Sequence, residues 1–105
     1  MAGQAISVDL ADQMVTKYFD YMSNLGVDME EQTQSVSFSI GTLMNWLNSV
    51  SANSDEIRVF MAAYRDEDPD AGRTTVILWP YKNGAPAVTG SSTPIDPFNE
   101  GGGHP

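Results

Sequence analysis

The chain has 105 residues, 41% of them hydrophobic, and sets five basic residues against fourteen acidic ones for a net charge of −9. This is one domain's length, enough to bury a core without metal or disulfide staples and too apolar for a disordered segment. The charge repels phosphate backbones and anionic lipid, which argues against nucleic-acid and membrane binding and favours a basic protein or a cation, although solubility alone accounts for it. The lack of cysteine excludes disulfides, thiolate metal sites and thiol catalysis, and suits a reducing cytosol. The stretch Met1–Ala5 has no basic start and no long apolar run, and Val76–Trp79 is far shorter than a membrane span. The expectation is therefore a soluble cytoplasmic protein without a secretory signal.

Taken in chain order, residues 8–25 predict an amphipathic helix. Ala11, Met14, Val15, Tyr18, Met22 and Leu25 recur at three-and-four spacing. Ser7 is placed to cap its start, Asp9 and Asp12 suit the positive end of the dipole, and Gly26 stops it. Val8, Phe19 and Tyr21 widen the apolar stripe, so the helix is expected to meet more than one surface. Residues 27–34 read as a polar connector, and Val36-Ser37-Phe38 as a brief strand. Ser39 then opens a second helix over about 40–50, with Ile40, Leu43, Met44, Leu47 and Val50 on its stripe and Trp46 at the edge.

After a loop at 51–55, residues 57–64 predict a strand with Ile57, Val59, Met61 and Ala63 on one side and Arg58, Phe60, Ala62 and Tyr64 on the other. Apolar residues on both sides read as a central strand. The break at 65–73 holds Pro69 and Gly72 and is followed by a second strand from Thr74, with antiparallel pairing the simplest connection. Pro80 is expected to end the ladder or mark an edge. Asn83-Gly84 favours a tight turn into a short return over 85–89. The expected architecture is α+β, with two helices packed on a small, mainly antiparallel sheet built around a strong hairpin, 57–64 with 74–80. Residues 1–89 form the domain, and the Gly-, Ser- and Pro-rich stretch 90–105 reads as a flexible C-terminal tail with Ile95 and Phe98 as lone anchors.

Few residues suggest chemistry. His104, the one histidine, sits in a glycine-rich end that no predicted element holds, so it makes a poor general base. No nucleophile–histidine arrangement, phosphate-binding loop or dinucleotide motif is present, and no cofactor is expected. The acidic loop is the strongest local signal. Asp66, Asp68 and Asp70 alternate around Glu67, and hard oxygen ligands at that spacing are what calcium takes. The loop departs from the EF-hand pattern at Ala71, Pro69 and Ile77 and lacks flanking helices, and the plainer account is a solvated hairpin tip. Asp55-Glu56 and Glu30-Glu31 are the other carboxylate pairs. Phe60 and Tyr64 share one strand face, and Trp79 and Tyr81 share one face of the next. On a common open side they would form a protein-binding patch, and beneath helices they would be core.

Ile57-Arg58-Val59-Phe60, the acidic proline-bearing loop and Gly72-Arg73-Thr74-Thr75-Val76-Ile77-Leu78-Trp79-Pro80 together resemble a group of small uncharacterised bacterial α+β proteins. These pair an I-R-[IV]-[FY] strand with a G-[KR]-T-T-[VL]-[IVL] strand, after helix and V-x-F segments like Val36-Ser37-Phe38. The likeness spans residues 8–82. It implies a bacterial cytosolic protein of the layout above and brings no activity and no functional residues.

The reading that follows is a non-enzymatic protein-binding or accessory module whose partner is another protein, a basic one being favoured by the charge, with a homodimer as a further option. The alternatives are a small carboxylate-dependent enzyme and a weak calcium-binding module at 66–70.

Overall fold

The computed structural model describes residues 3–99 and 102–104, the last three by their backbone. Parts of the Met1–Ala5 stretch and of the 90–105 tail, and the side chain of His104, lie outside the described residues. The elements run α1 (Val8–Asn24), β1 (Ser35–Ser37), α2 (Ile40–Val50), a 3₁₀ turn (Ser51–Asn53), β2 (Glu56–Ala63), β3 (Thr74–Lys82), β4 (Ala85–Pro86) and β5 (Gly102–His104). Two helices and a three-stranded antiparallel sheet make a small α+β fold, as the sequence predicts.

Helix α1 starts where a cap is available: Ser7 Oγ accepts from the Leu10 amide at 3.1 Å, satisfying a donor that the helix leaves unpaired. It stops at Gly26, whose φ of 89° is open to glycine at little cost. Helix α2 begins after Ser39, but the Ser39 side chain makes no capping bond there.

The sheet is ordered β2-β3-β4. Strand β2 therefore lies at the edge and β3 at the centre, which corrects the expectation that apolar residues on both sides of 57–64 mark a central strand. In the register, Phe60 faces Ile77 and Val59 faces Leu78. Pro80 also departs from expectation, since it lies buried inside β3 opposite Ile57. Strand backbone groups alternate in direction, and Leu78, Pro80 and their alternates point away from β2. Leu78 exchanges both backbone hydrogen bonds with Phe98, at 2.9 and 2.8 Å, and the Pro80 carbonyl accepts from the Ala87 amide at 2.9 Å. The missing N–H of Pro80 therefore costs no bond to β2.

The sequence reads residues 90–105 as a tail that hangs loose or docks weakly through Ile95 and Phe98; residues 90–99 run back along the free side of β3. Phe98 pairs with Leu78, Pro94 bridges Val88, and the Ile95 amide reaches the Ala87 carbonyl. The Phe98 ring sits 5.2 Å from Phe38 and 5.0 Å from Trp46, so one side chain joins β3 to α2 and the end of β1. Beyond it, β5 pairs antiparallel with β1, Val36 opposite Gly103. Composition understates this segment because its hold rests on backbone pairing, one aromatic ring and the Asn99 amide, which donates to the Val76 carbonyl at 2.6 Å.

The hairpin β3–β4 turns at Asn83 and Gly84, with φ of 52° and 82°, the positive pair that a two-residue hairpin of this hand requires. No atom lies within 4 Å of a Cβ built on Gly84, so only the backbone opposes a side chain there.

Two stability predictions follow from these contacts. Phe98→Ala should lower unfolding free energy by about 2 kcal/mol in urea titration, below the cost for a fully buried phenylalanine because the ring is half-exposed. A slack tail would give a change within about 0.5 kcal/mol. Gly84→Ala should cost about 1–2 kcal/mol by the same titration, through the left-handed backbone alone.

Candidate interaction surface

The apolar half of α1 is the largest uncovered feature. At 3.6 residues per turn, Leu10, Ala11, Met14, Val15, Tyr18, Tyr21, Met22 and Leu25 fall on one half of the helix, with Val8 and Phe19 extending it on one side. Asp9, Asp12, Lys17 and Asp20 take the other half. No residue of α1 is buried. Ala11 and Met22 are half-buried along the midline, while Val8 is 78% exposed, Val15 67% and Leu25 63%. Tyr18 reaches the body, lining a small cavity of about 110 Å³ with Val36, Met61 and Val76. Tyr18 thus meets the body, and the apolar residues on either side of it stay exposed.

The hairpin aromatics form a second surface. Phe60 lies 5.6 Å from Trp79, edge to face, and 6.1 Å from Tyr81; the Arg58 guanidinium sits 4.2 Å above the Tyr81 ring and pairs with Glu56 at 2.8 Å. Tyr64 continues the same alternation and donates its amide to the Arg73 carbonyl, but it is not among the ring contacts. Phe98 lies opposite Leu78, and residues directly opposite share a face. With Phe98 against Trp46, α2 covers the face that carries Leu78, Pro80 and Ile57. The Phe60, Trp79 and Tyr81 cluster therefore occupies the face turned away from α2, with Phe60 37% exposed.

The acidic loop is arranged around its arginine. Asp68 accepts from the Arg65 amide at 2.8 Å and from its guanidinium Nη2 at 3.0 Å, and Glu67 pairs with Arg65 at 3.2 Å. Hydrogen bonding to Arg65 holds the Asp68 carboxyl below its ordinary value and raises that of Arg65. Asp66, Asp68 and Asp70 are not drawn together, and among the described residues no three acidic or histidine side chains converge to hold a metal ion. Arg65 takes the central carboxylate of the alternation that suggested calcium. The other carboxylates have structural work: Asp55 accepts from the Asn83 amide at 3.2 Å, and Glu56 holds Arg58.

One feature escaped the sequence reading. The Arg73 Nε and Nη2 are buried and have no hydrogen-bond partner among the described residues. Arg73 also lines an open concavity of about 670 Å³ together with Asp28, Glu30 and Glu31. Gln32 ties this connector to the hairpin, accepting from the Thr74 amide at 2.9 Å. No sequence signal gives such a long-range contact.

The loop chemistry is testable. The folded Asp68 carboxyl should titrate below 3.8, so the turn keeps this contribution above the ordinary carboxylate range and loses it as pH falls through the lowered value. Carboxyl NMR would read the titration, and Arg65→Gln should return Asp68 to its ordinary range. Millimolar calcium chloride should leave the Asp66, Asp68 and Asp70 carboxyl resonances unmoved. Comparison with protein families, curated proteins and solved structures returned no match.

Proposed function

We propose that this chain is a non-enzymatic accessory module of the bacterial cytoplasm that binds another protein through the apolar half of α1. The observation that carries this reading is area. The chain exposes 7752 Å², whereas a folded monomer of 11.4 kDa exposes roughly 5,800 Å². Its radius of gyration of 16.0 Å exceeds the roughly 13 Å of a compact domain of this length. Among the described residues the fully buried apolar side chains are Met29, Val50, Pro80 and Ala87. A contiguous apolar flank of this size on a polar, charged protein is what a docking surface looks like before its partner arrives.

The acidic half of α1, with Asp9, Asp12 and Asp20, borders that flank. A partner with basic residues around an apolar centre would meet it with complementary charge, which speeds encounter and excludes acidic competitors. No helix among the described residues is long and apolar enough to cross a membrane.

Tagged protein incubated with lysate of the source cell should retain one stoichiometric partner, identified by mass spectrometry, with weaker retention at high salt if the acidic border is in contact. Met14→Glu and Val15→Glu together should lower that retention at least about tenfold while leaving the circular dichroism spectrum unchanged. Equal retention by wild type and the double variant would remove α1 as the docking surface.

A further inference from the structure

The outer edge of β2 is a second unpartnered feature, separate from α1. The amide of Tyr64 bonds to the Arg73 carbonyl, so residues 56, 58, 60, 62 and 64 direct their backbone groups at β3. Ile57, Val59, Met61 and Ala63 direct theirs outward, and among the described residues nothing bonds to them. The edge is eight residues long. Natural edges are guarded by lysine, proline, bulges or brevity, and this one has none of these. Val59 is 59% exposed and Met61 73%. The two charges on the strand, Arg58 and Glu56, neutralise each other within the chain.

We infer that a second copy of this chain pairs with β2, antiparallel about a two-fold axis at Phe60, to make one continuous six-stranded sheet. The register follows from which groups are free. With Phe60 on the axis, Val59 of each copy faces Met61 of the other and Ile57 faces Ala63, so all four outward residues of both copies pair. A shift of two residues either way leaves one strand residue of each copy unpaired. The same register sets Arg58 opposite Ala62, brings no like charges together, and places Asp55 of one copy level with Arg65 of the other. Phe60 meets its own image, so the two clusters of Phe60, Trp79 and Tyr81 join into one aromatic face. On the other face Val59 and Met61 cover their images.

The occupant is a second copy because the edge is self-complementary in register and in charge, and because the area allows it. A stable interface buries roughly 800 Å² per partner, and the surplus here is roughly 2,000 Å². That leaves room for this seam and for a partner on α1 as well. The inference goes beyond the proposed function, since it concerns another surface and stands or falls separately.

The chain has no cysteine, so one introduced thiol reports cleanly. In a non-hydrogen-bonded antiparallel pair the Cα atoms lie about 4.5 Å apart, within disulfide reach. Phe60→Cys should therefore form a disulfide-linked dimer under mild oxidation at least about tenfold faster than Val88→Cys, an exposed control off the seam. Sedimentation equilibrium of the unmodified chain should give twice the 11.4 kDa chain mass at micromolar concentration. Val59→Pro and Val59→Lys should return it to the single-chain mass with unchanged circular dichroism, since Val59 directs its backbone outward and its side chain is 59% exposed. A monomeric wild type overturns the inference. So does a dimer that survives both edge variants, or a Phe60→Cys chain that links no faster than the control. A wild-type monomer that still retains a lysate partner through α1 would overturn the seam and leave the proposed function standing.

Discussion

The structure hangs on the division of labour along β3. A strand's backbone groups alternate in direction, so one set of residues serves β2 and the other set is free for whatever arrives from the opposite side. In this chain the second set receives the C-terminal segment, through Leu78 with Phe98 and Pro80 with Ala87. Pro80 is tolerated in the middle of the ladder for the same reason, since the group it lacks would have faced away from β2. Both hydrogen-bonding edges of β3 are thus occupied, and β3 is the one strand that can act as the spine of so small a fold.

The Phe98 ring extends that backbone arrangement into the core. Packed on Phe38 and Trp46, it joins the sheet to α2 and to the start of the two-stranded β1–β5 pair. A domain with few buried apolar side chains depends heavily on such a contact, because stability is a small difference between large terms. Among the described residues the buried ones are spread out, Met29 in the 27–34 connector, Val50 at the end of α2, Thr75 and Pro80 in β3 and Ala87 after β4, and none lies in α1 or β2.

Those two regions have different physics. The flank of α1 is an apolar surface without backbone demands, suited to a partner of any architecture that brings apolar groups and tolerates acidic neighbours. The β2 edge carries unpaired N–H and C=O groups in strict alternation, which only another extended strand can satisfy. The net charge of −9 limits non-specific association at both.

The sequence by itself determined the local elements. Helical spacing with Ser7 and Gly26 marked α1, the stripe from Ile40 to Val50 marked α2, and Asn83-Gly84 marked the hairpin turn, because caps and turns are decided by a few adjacent residues. The antiparallel pairing of β2 with β3 was also legible, since the polar loop between them admits little else. The sequence put Phe60 with Tyr64 on one strand face and Trp79 with Tyr81 on one face of the next, and left open whether the two pairs share a side and what covers it; the register brought Phe60, Trp79 and Tyr81 together. The tertiary structure alone decided that β2 is an edge, that residues 90–99 line β3, that Arg65 occupies Asp68 and that the Arg73 Nε and Nη2 find no hydrogen-bond partner among the described residues. Each depends on a contact between residues far apart in the chain or on the competition between one cation and several neighbouring acids. Composition and periodicity carry no information about which segment fills the open side of a central strand; Phe98 does so because its backbone meets Leu78 and its ring meets Trp46 at once.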